Sequence, residues 1–176
     1  MEKHYLAGPF FNAEQQGIMQ RIEEEYVDAG IAFFSPRICD ENSPGKKIDD
    51  AAASRIFERN EEQLMVGSAW RCTHMLAVID YVLPNGTELR LMSGKTPLGH
   101  PITIPDTGTV FEMGMAYSLN IDIYSFTVHP PEKMNVMLSK CTCGILHGFD
   151  KLRCFLREKD RGRRLAFLEK FGGKHI

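Results

Sequence analysis

The chain predicts an α/β fold, a single doubly wound domain of the flavodoxin or Rossmann type with a mostly parallel sheet. Three observations carry that expectation. Short apolar strand segments alternate with amphipathic helical ones, the pattern of right-handed βαβ crossovers. His74-Met-Leu-Ala-Val-Ile79 is an unbroken apolar run, as expected of a strand buried on both faces. A length of 176 residues, 43% hydrophobic and 25% charged, suits one domain over residues 1–176 that builds its core without staples.

Each element follows from local chemistry. His4–Ala7 reads as the first strand, broken by Gly8-Pro9. Asn12 is placed to cap a helix over Ala13–Ala29, with Ile18, Ile22, Tyr26 and Ala29 at helical spacing and Gly30 as the stop. Ile31–Phe34 reads as the second strand, ended by Ser35-Pro36 and followed by a polar loop around Asn42-Ser-Pro-Gly45. A second helix is expected from Ile48 to about Val66, with Ile56, Leu64 and Met65 among its apolar positions. The third strand is His74–Ile79, the third helix runs from near Thr109 to about Leu119, and the fourth strand is Asp122–Phe126.

Residues 81–105 break the rhythm. Pro84, Asn85-Gly86, Gly94, Pro97, Gly99, Pro101 and Pro105 punctuate an inserted loop or hairpin. It follows the third strand and so projects from the carboxyl edge of the sheet, where ligands bind in open α/β folds. A lid or an oligomer contact is the expected role, since loops of this length are usually functional or disordered. Residues 151–176 read as a C-terminal helical tail. Its Arg157, Lys159, Arg161, Arg163 and Arg164 are interleaved with Glu158, Asp160 and Glu169, a solvated face more than a nucleic-acid patch.

Composition narrows the function. A formal net charge of −2 gives no global attraction to nucleic acid or anionic membranes. No apolar run approaches the roughly 20 residues needed to cross a bilayer. The N-terminal Met-Glu-Lys-His-Tyr lacks a signal peptide's apolar stretch, so a cytoplasmic protein is expected. Five cysteines form no disulfide framework and fit a reducing compartment. Cys141-Thr-Cys143 with His147 and Cys154 is not a recognised zinc spacing, so free thiols are expected and no metal.

Chemistry concentrates in Asp106-Thr-Gly-Thr-Val-Phe-Glu112, two carboxylates six residues apart at the mouth of a helix. Unpaired N–H groups and the helix dipole there would keep a first-turn glutamate ionised, as a nucleophilic carboxylate must be. The same residues fit a capping box, with Thr109 as the cap and Glu112 reaching back to its N–H. Locally the two readings are even. Two further patches suit a planar base at the same edge. Tyr5-Leu-Ala-Gly-Pro-Phe-Phe11 combines a sharp turn at Gly8 with adjacent aromatics, and Asn60-Glu-Glu-Gln63 offers hydrogen-bonding groups. Their structural alternatives are core aromatics and an ordinary exposed helix face.

Together Tyr5-Leu-Ala-Gly-Pro-Phe-Phe11, Asp106-Thr-Gly-Thr-x-x-Glu112-x-Gly114 and Met134-Asn-Val-Met-Leu138 resemble the nucleoside 2-deoxyribosyltransferase family over roughly residues 3–140. The resemblance implies Glu112 as nucleophile, oriented by Tyr5. Phe11 would line the base pocket, with Gly8 and Asn60 also at the substrate, and Asp106 would accept a hydrogen bond from the sugar 5′-hydroxyl. Asn135 would reach the site of a neighbouring subunit, which implies a homo-oligomer, commonly a hexamer in that family. Substrates would be 2′-deoxyribonucleosides and free nucleobases, with no cofactor, metal, nucleic-acid polymer or membrane. The chain departs from the family at Glu61, where aspartate usually assists proton transfer to the base. It departs again in the 81–105 insertion and in a C-terminus without the aromatic that completes some sites. Two alternatives stand beside deoxyribose transfer by double displacement with net retention. One is hydrolysis of the same N-glycosidic bond, with a 5′-phosphate disfavoured by Asp106; the other is a non-catalytic nucleoside-binding module.

Overall fold

The computed structural model describes residues 2–39, 49–65, 72–79, 106–128, 136–158 and 166. β1 (Lys3–Ala7) leads into α1 (Ala13–Ala29) and β2 (Ala32–Phe34), and a 3-10 turn follows at Pro36–Ile38. Then come α2 (Asp50–Leu64), β3 (His74–Val78), α3 (Thr107–Ser118) and β4 (Asp122–Thr127). α4 (Val136–Cys141), β5 (Gly144–His147) and α5 (Phe149–Arg157) complete the described elements. The 81–105 insertion, Asn135 and the tail beyond Glu158, Ala166 apart, lie outside the described residues.

α1 begins and ends at the expected residues. Asn12 Oδ1 accepts from Gln15 N at 3.0 Å, satisfying an orphan donor of the first turn. Gly30 ends the helix in the left-handed region at φ 67°, which lets Ile31 N reach Tyr26 O at 3.1 Å. Asp49 does the same work as Asn12 for α2, accepting from Ala52 N at 2.7 Å.

All strand pairs are parallel, and the order is β2-β1-β3-β4-β5. The chain runs outward from β1 to β2, then crosses back to place β3 on the other side of β1. Its strand order therefore reverses between β1 and β3, and the crevice outside their carboxyl ends is where doubly wound sheets bind ligands. Side-chain alternation splits the core in two. Leu6, Leu76, Val78, Tyr124, Phe126 and Leu146 pack with Met19, Ile22 and Tyr26 of α1 and Leu152, Phe155 and Leu156 of α5. Tyr5, Ala7, Met75, Ala77 and Ile123 pack on the opposite face with Leu64 of α2 and Met113 and Ala116 of α3. β5 is a fifth strand beyond the four expected, and α5 starts before the expected tail with its apolar side in the core.

Gly8, at the turn leaving β1, is a glycine for lack of room and not for a positive φ. A Cβ there would lie 2.6 Å from Met19 Sδ and 2.9 Å from Val78 Cβ, so α1 and β3 close over it. We expect Gly8→Ala to cost about 1–3 kcal/mol through overpacking. Urea unfolding should show a lower midpoint with an unchanged slope, and an unshifted midpoint would contradict this packing.

Candidate active site

Tyr5 stands on the α2/α3 face of β1 with no exposed surface, its ring against Phe34 of β2 at a centroid distance of 5.4 Å. Phe34 pairs with Tyr5 in the sheet register and so holds the phenol from one side. The Tyr5 hydroxyl donates to Glu112 Oε1 at 2.6 Å, joining β1 to α3. Asn60 Nδ2 donates to the same oxygen at 3.3 Å. Asn60 reaches it because Ile56, Asn60 and Leu64 recur at helical spacing on the inward stripe of α2. Both donors converge on Oε1, and Oε2 has no hydrogen-bond partner among the described residues.

The helix mouth differs from the expected capping box. α3 starts at Thr107, and its N-cap is Asp106, whose Oδ2 accepts from Thr109 N at 3.0 Å. Thr109 therefore sits inside the first turn, and Glu112 lies in the second turn, facing Tyr5 instead of the helix end. Gly108 is required by this cap, since a Cβ there would come within 2.9 Å of Asp106 Oδ2. Asp106 Oδ1 has no hydrogen-bond partner among the described residues.

This placement overturns the expectation that Glu112 is held ionised by the helix terminus. Burial pushes its carboxyl up to about 7. The Tyr5 hydrogen bond pulls it down, the Asp106 charge pushes it up, and the Asn60 hydrogen bond pulls it down. The Tyr5 phenol is driven far above its ordinary value, first by burial and then by the Glu112 charge, so it remains a donor throughout the working pH range.

Phe11 is 68% exposed on the loop leaving β1, and its ring stacks on Phe10 at 5.7 Å. Gly8 lies beneath that loop in the packing already described. Glu61 is half-buried beside Asn60, four residues after Phe57, whose ring meets Phe111 of α3 at 6.2 Å. Gln63 turns away and accepts from Lys3 Nζ at 2.6 Å. Cys141, Cys143, His147 and Cys154 do not converge on a common centre. Two features escaped sequence reasoning. Phe34 as the support of Tyr5 depends on strand register, and Asn60 as the second donor to Glu112 depends on helix orientation.

The family model for Nucleoside 2-deoxyribosyltransferase matches residues 4–141, more than three quarters of the chain. No curated protein sequence matches. The structure is similar to that of a 2-deoxyribosyltransferase from Bacillus psychrosaccharolyticus, with a TM-score of 0.63 and 22% identity over 92% of this chain and 95% of that one. It is also similar to a 2-desoxiribosyltransferase from Leishmania mexicana, with a TM-score of 0.54 and 14% identity over 91% and 100% of the two chains. Those two likenesses establish the shared fold.

A carboxyl raised on folding binds more protons in the native chain than in the unfolded one between its ordinary value of 4.5 and about 7. Stability therefore falls as pH rises through that window. Glu112→Gln keeps an acceptor for Tyr5 and removes the charge, so it should be more stable than the parent at pH 8 by roughly 1–3 kcal/mol. Near pH 4.5 the two should converge. Urea unfolding at the two pH values measures both, and equal stabilities at pH 8 would contradict the burial of this charge.

Proposed function

The chain belongs to the nucleoside 2-deoxyribosyltransferase family, and from that premise we propose that Glu112 carries 2-deoxyribose between nucleobases as a covalent ester at C1′. Two donors converging on Glu112 Oε1 support this reading, because they orient the carboxylate and leave Oε2 to attack. Oε2 forms the bond to C1′ as the N-glycosidic bond breaks, and its electron pair leaves on the base nitrogen. The transition state resembles an oxocarbenium ion. Glu61 and solvent supply the proton to the departing base. A second base then attacks C1′ through a ring nitrogen, gives up its N–H proton to Glu61 or solvent, and displaces the Glu112 carboxylate. Two inversions give net retention.

The surrounding groups have defined tasks in this reading. Asp106 Oδ1 accepts the sugar 5′-hydroxyl, and its charge disfavours a 5′-phosphate. Phe11 offers an exposed ring to the base at the mouth of the turn carrying Gly8. Asn60 acts on the nucleophile in place of the base contact first expected for it. Asn135 completes the site of a neighbouring copy. The Phe57–Phe111 pair, half-exposed and next to Glu112 along α3, is the apolar surface that such a copy covers.

Incubation with deoxyinosine or thymidine and a different free base, followed by chromatography, tests transfer. A new nucleoside is expected, whereas free deoxyribose alone would mean that water resolves the ester. Glu112→Ala should abolish exchange, by more than about 1,000-fold. In the parent, kcat/KM should fall on the acid side of about pH 7 as Glu112 protonates. Tyr5→Phe removes a bond that favours the charged form, so this limb should move to higher pH with a loss of roughly 10–100-fold at neutrality. A limb that stays in place would dissociate Tyr5 from the nucleophile. Phe111→Arg should lower the mass seen by light scattering and reduce exchange with it; an unchanged mass would remove this surface from the assembly.

A further inference from the structure

On the other face of the sheet, at the amino ends of its strands, lies a polar cluster that the transfer reaction does not use. The parallel register places His4 beside His74 and His74 beside Asp122, in one row across β1, β3 and β4. Glu2 precedes His4 by two residues, and its Oε1 lies 2.9 Å from His4 Nε2 and 3.4 Å from His74 Nδ1. His4 is fully buried, the His74 side chain is 13% exposed, and that of Glu2 is 34% exposed. The two imidazole rings are 4.8 Å apart.

We propose that Glu2, His4 and His74 form a binding site for a divalent transition metal of the zinc class. One ligand atom from each residue lies within 4.8 Å of the others, and the two short separations point to Glu2 Oε1, His4 Nε2 and His74 Nδ1 as those atoms. Tetrahedral zinc with bonds near 2.0–2.2 Å needs ligand atoms about 3.3 Å apart, a spacing the two measured separations bracket. Two imidazoles and one carboxylate select zinc and its neighbours over magnesium or calcium, which prefer all-oxygen sets.

The outer groups agree with this assignment. Metal-binding histidines donate their second ring N–H to a fixed acceptor; His4 has one within hydrogen-bond distance, and His74 has a carboxylate just beyond it. His4 Nδ1 meets the Tyr26 hydroxyl at 2.9 Å, which leaves Nε2 toward Glu2. His74 Nε2 faces Asp122 Oδ2 at 3.8 Å, which leaves Nδ1 toward Glu2. Thr73 Oγ1 also lies 2.9 Å from His74 Nδ1; on metal binding it gives up that nitrogen and keeps its bond to Lys3 O at 3.2 Å. Solvent takes the fourth position beside Glu2. The metal's task is structural, tying the start of β1 to β3 across the strands that frame the reaction crevice.

Full-length protein stripped with EDTA is titrated with Zn²⁺ by calorimetry and with Co²⁺ by absorption spectroscopy. We expect one Zn²⁺ per chain, a Tm that rises with added Zn²⁺, and tetrahedral Co²⁺ bands without thiolate charge transfer. Glu2→Gln and His74→Gln should each weaken binding by more than roughly 100-fold, and Asp122→Asn by roughly 10-fold through the outer shell. Base exchange by the metal-free protein should persist in all three variants. His4 is left intact because its burial makes folding defects inevitable there. The assignment is overturned if the parent takes up no Zn²⁺, if Glu2→Gln and His74→Gln bind it as tightly as the parent, or if thiolate bands place the metal on cysteines.

Discussion

The hydrogen bond from Tyr5 to Glu112 is the constraint around which the crevice is built. It joins residues 107 positions apart, at a heavy-atom distance of 2.6 Å. Such a contact requires β1 and β3 to be neighbours and α3 to pack on the face that Tyr5 presents. It also requires Tyr5 to be immobile. The phenol is fully buried, braced by Phe34, and kept protonated first by that burial and then by the Glu112 charge. A donor that cannot ionise and cannot move is a fixed dipole, the kind of preorganised group that stabilises charge without reorganisation during reaction.

The doubly wound topology divides labour between the two faces and the two ends of the sheet. α1 and α5 cover one face with a continuous apolar layer, while α2 and α3 cover the other and also supply Asn60, Asp106 and Glu112. Asn60 and Glu112 stand on helices that are themselves anchored by Leu64, Met113 and Ala116 in the core. Their positions therefore inherit the rigidity of packed side chains. Among the described residues, the loop leaving β1 adds the exposed ring of Phe11.

Where one residue type has one local solution, the chain's elements were legible in advance. Asn12 and Gly30 bound α1 because an amide cap and a left-handed stop have few alternatives, and the apolar run at His74 fits only a two-sided strand. Asp106-Thr-Gly-Thr109 misled because threonine is as good a cap by residue type, whereas the carboxylate three residues earlier holds the helix end. That shift moved Glu112 from the dipole of the helix end to the desolvated wall of the crevice. β5 was hidden because Gly144-Ile-Leu-His147 is only 4 residues long and opens on a glycine, too short for alternation to show. The roles of Phe34 and Asn60 arise from register and helix rotation, which one-dimensional spacing does not contain. The family motifs were nonetheless sufficient to single out Tyr5, Asp106 and Glu112 together, since they lie in segments that the topology brings to one edge.

A carboxyl displaced toward neutral pH looks at first like a poor nucleophile, but the cost of its burial would work in favour of the transfer proposed for Glu112. Water solvates a carboxylate well and must be stripped from it before attack; here burial has removed much of that shell already. In the proposed transfer, the developing oxocarbenium ion at C1′ brings positive charge up to the ionised group. The electrostatic attraction is thus larger in the transition state than with a neutral bound nucleoside, the condition for raising kcat instead of merely tightening binding. Tyr5 and Asn60 moderate the displacement so that a substantial fraction remains ionised near neutrality. Removing either would leave a more reactive anion that is present less often, and the observed pairing lies between those two losses.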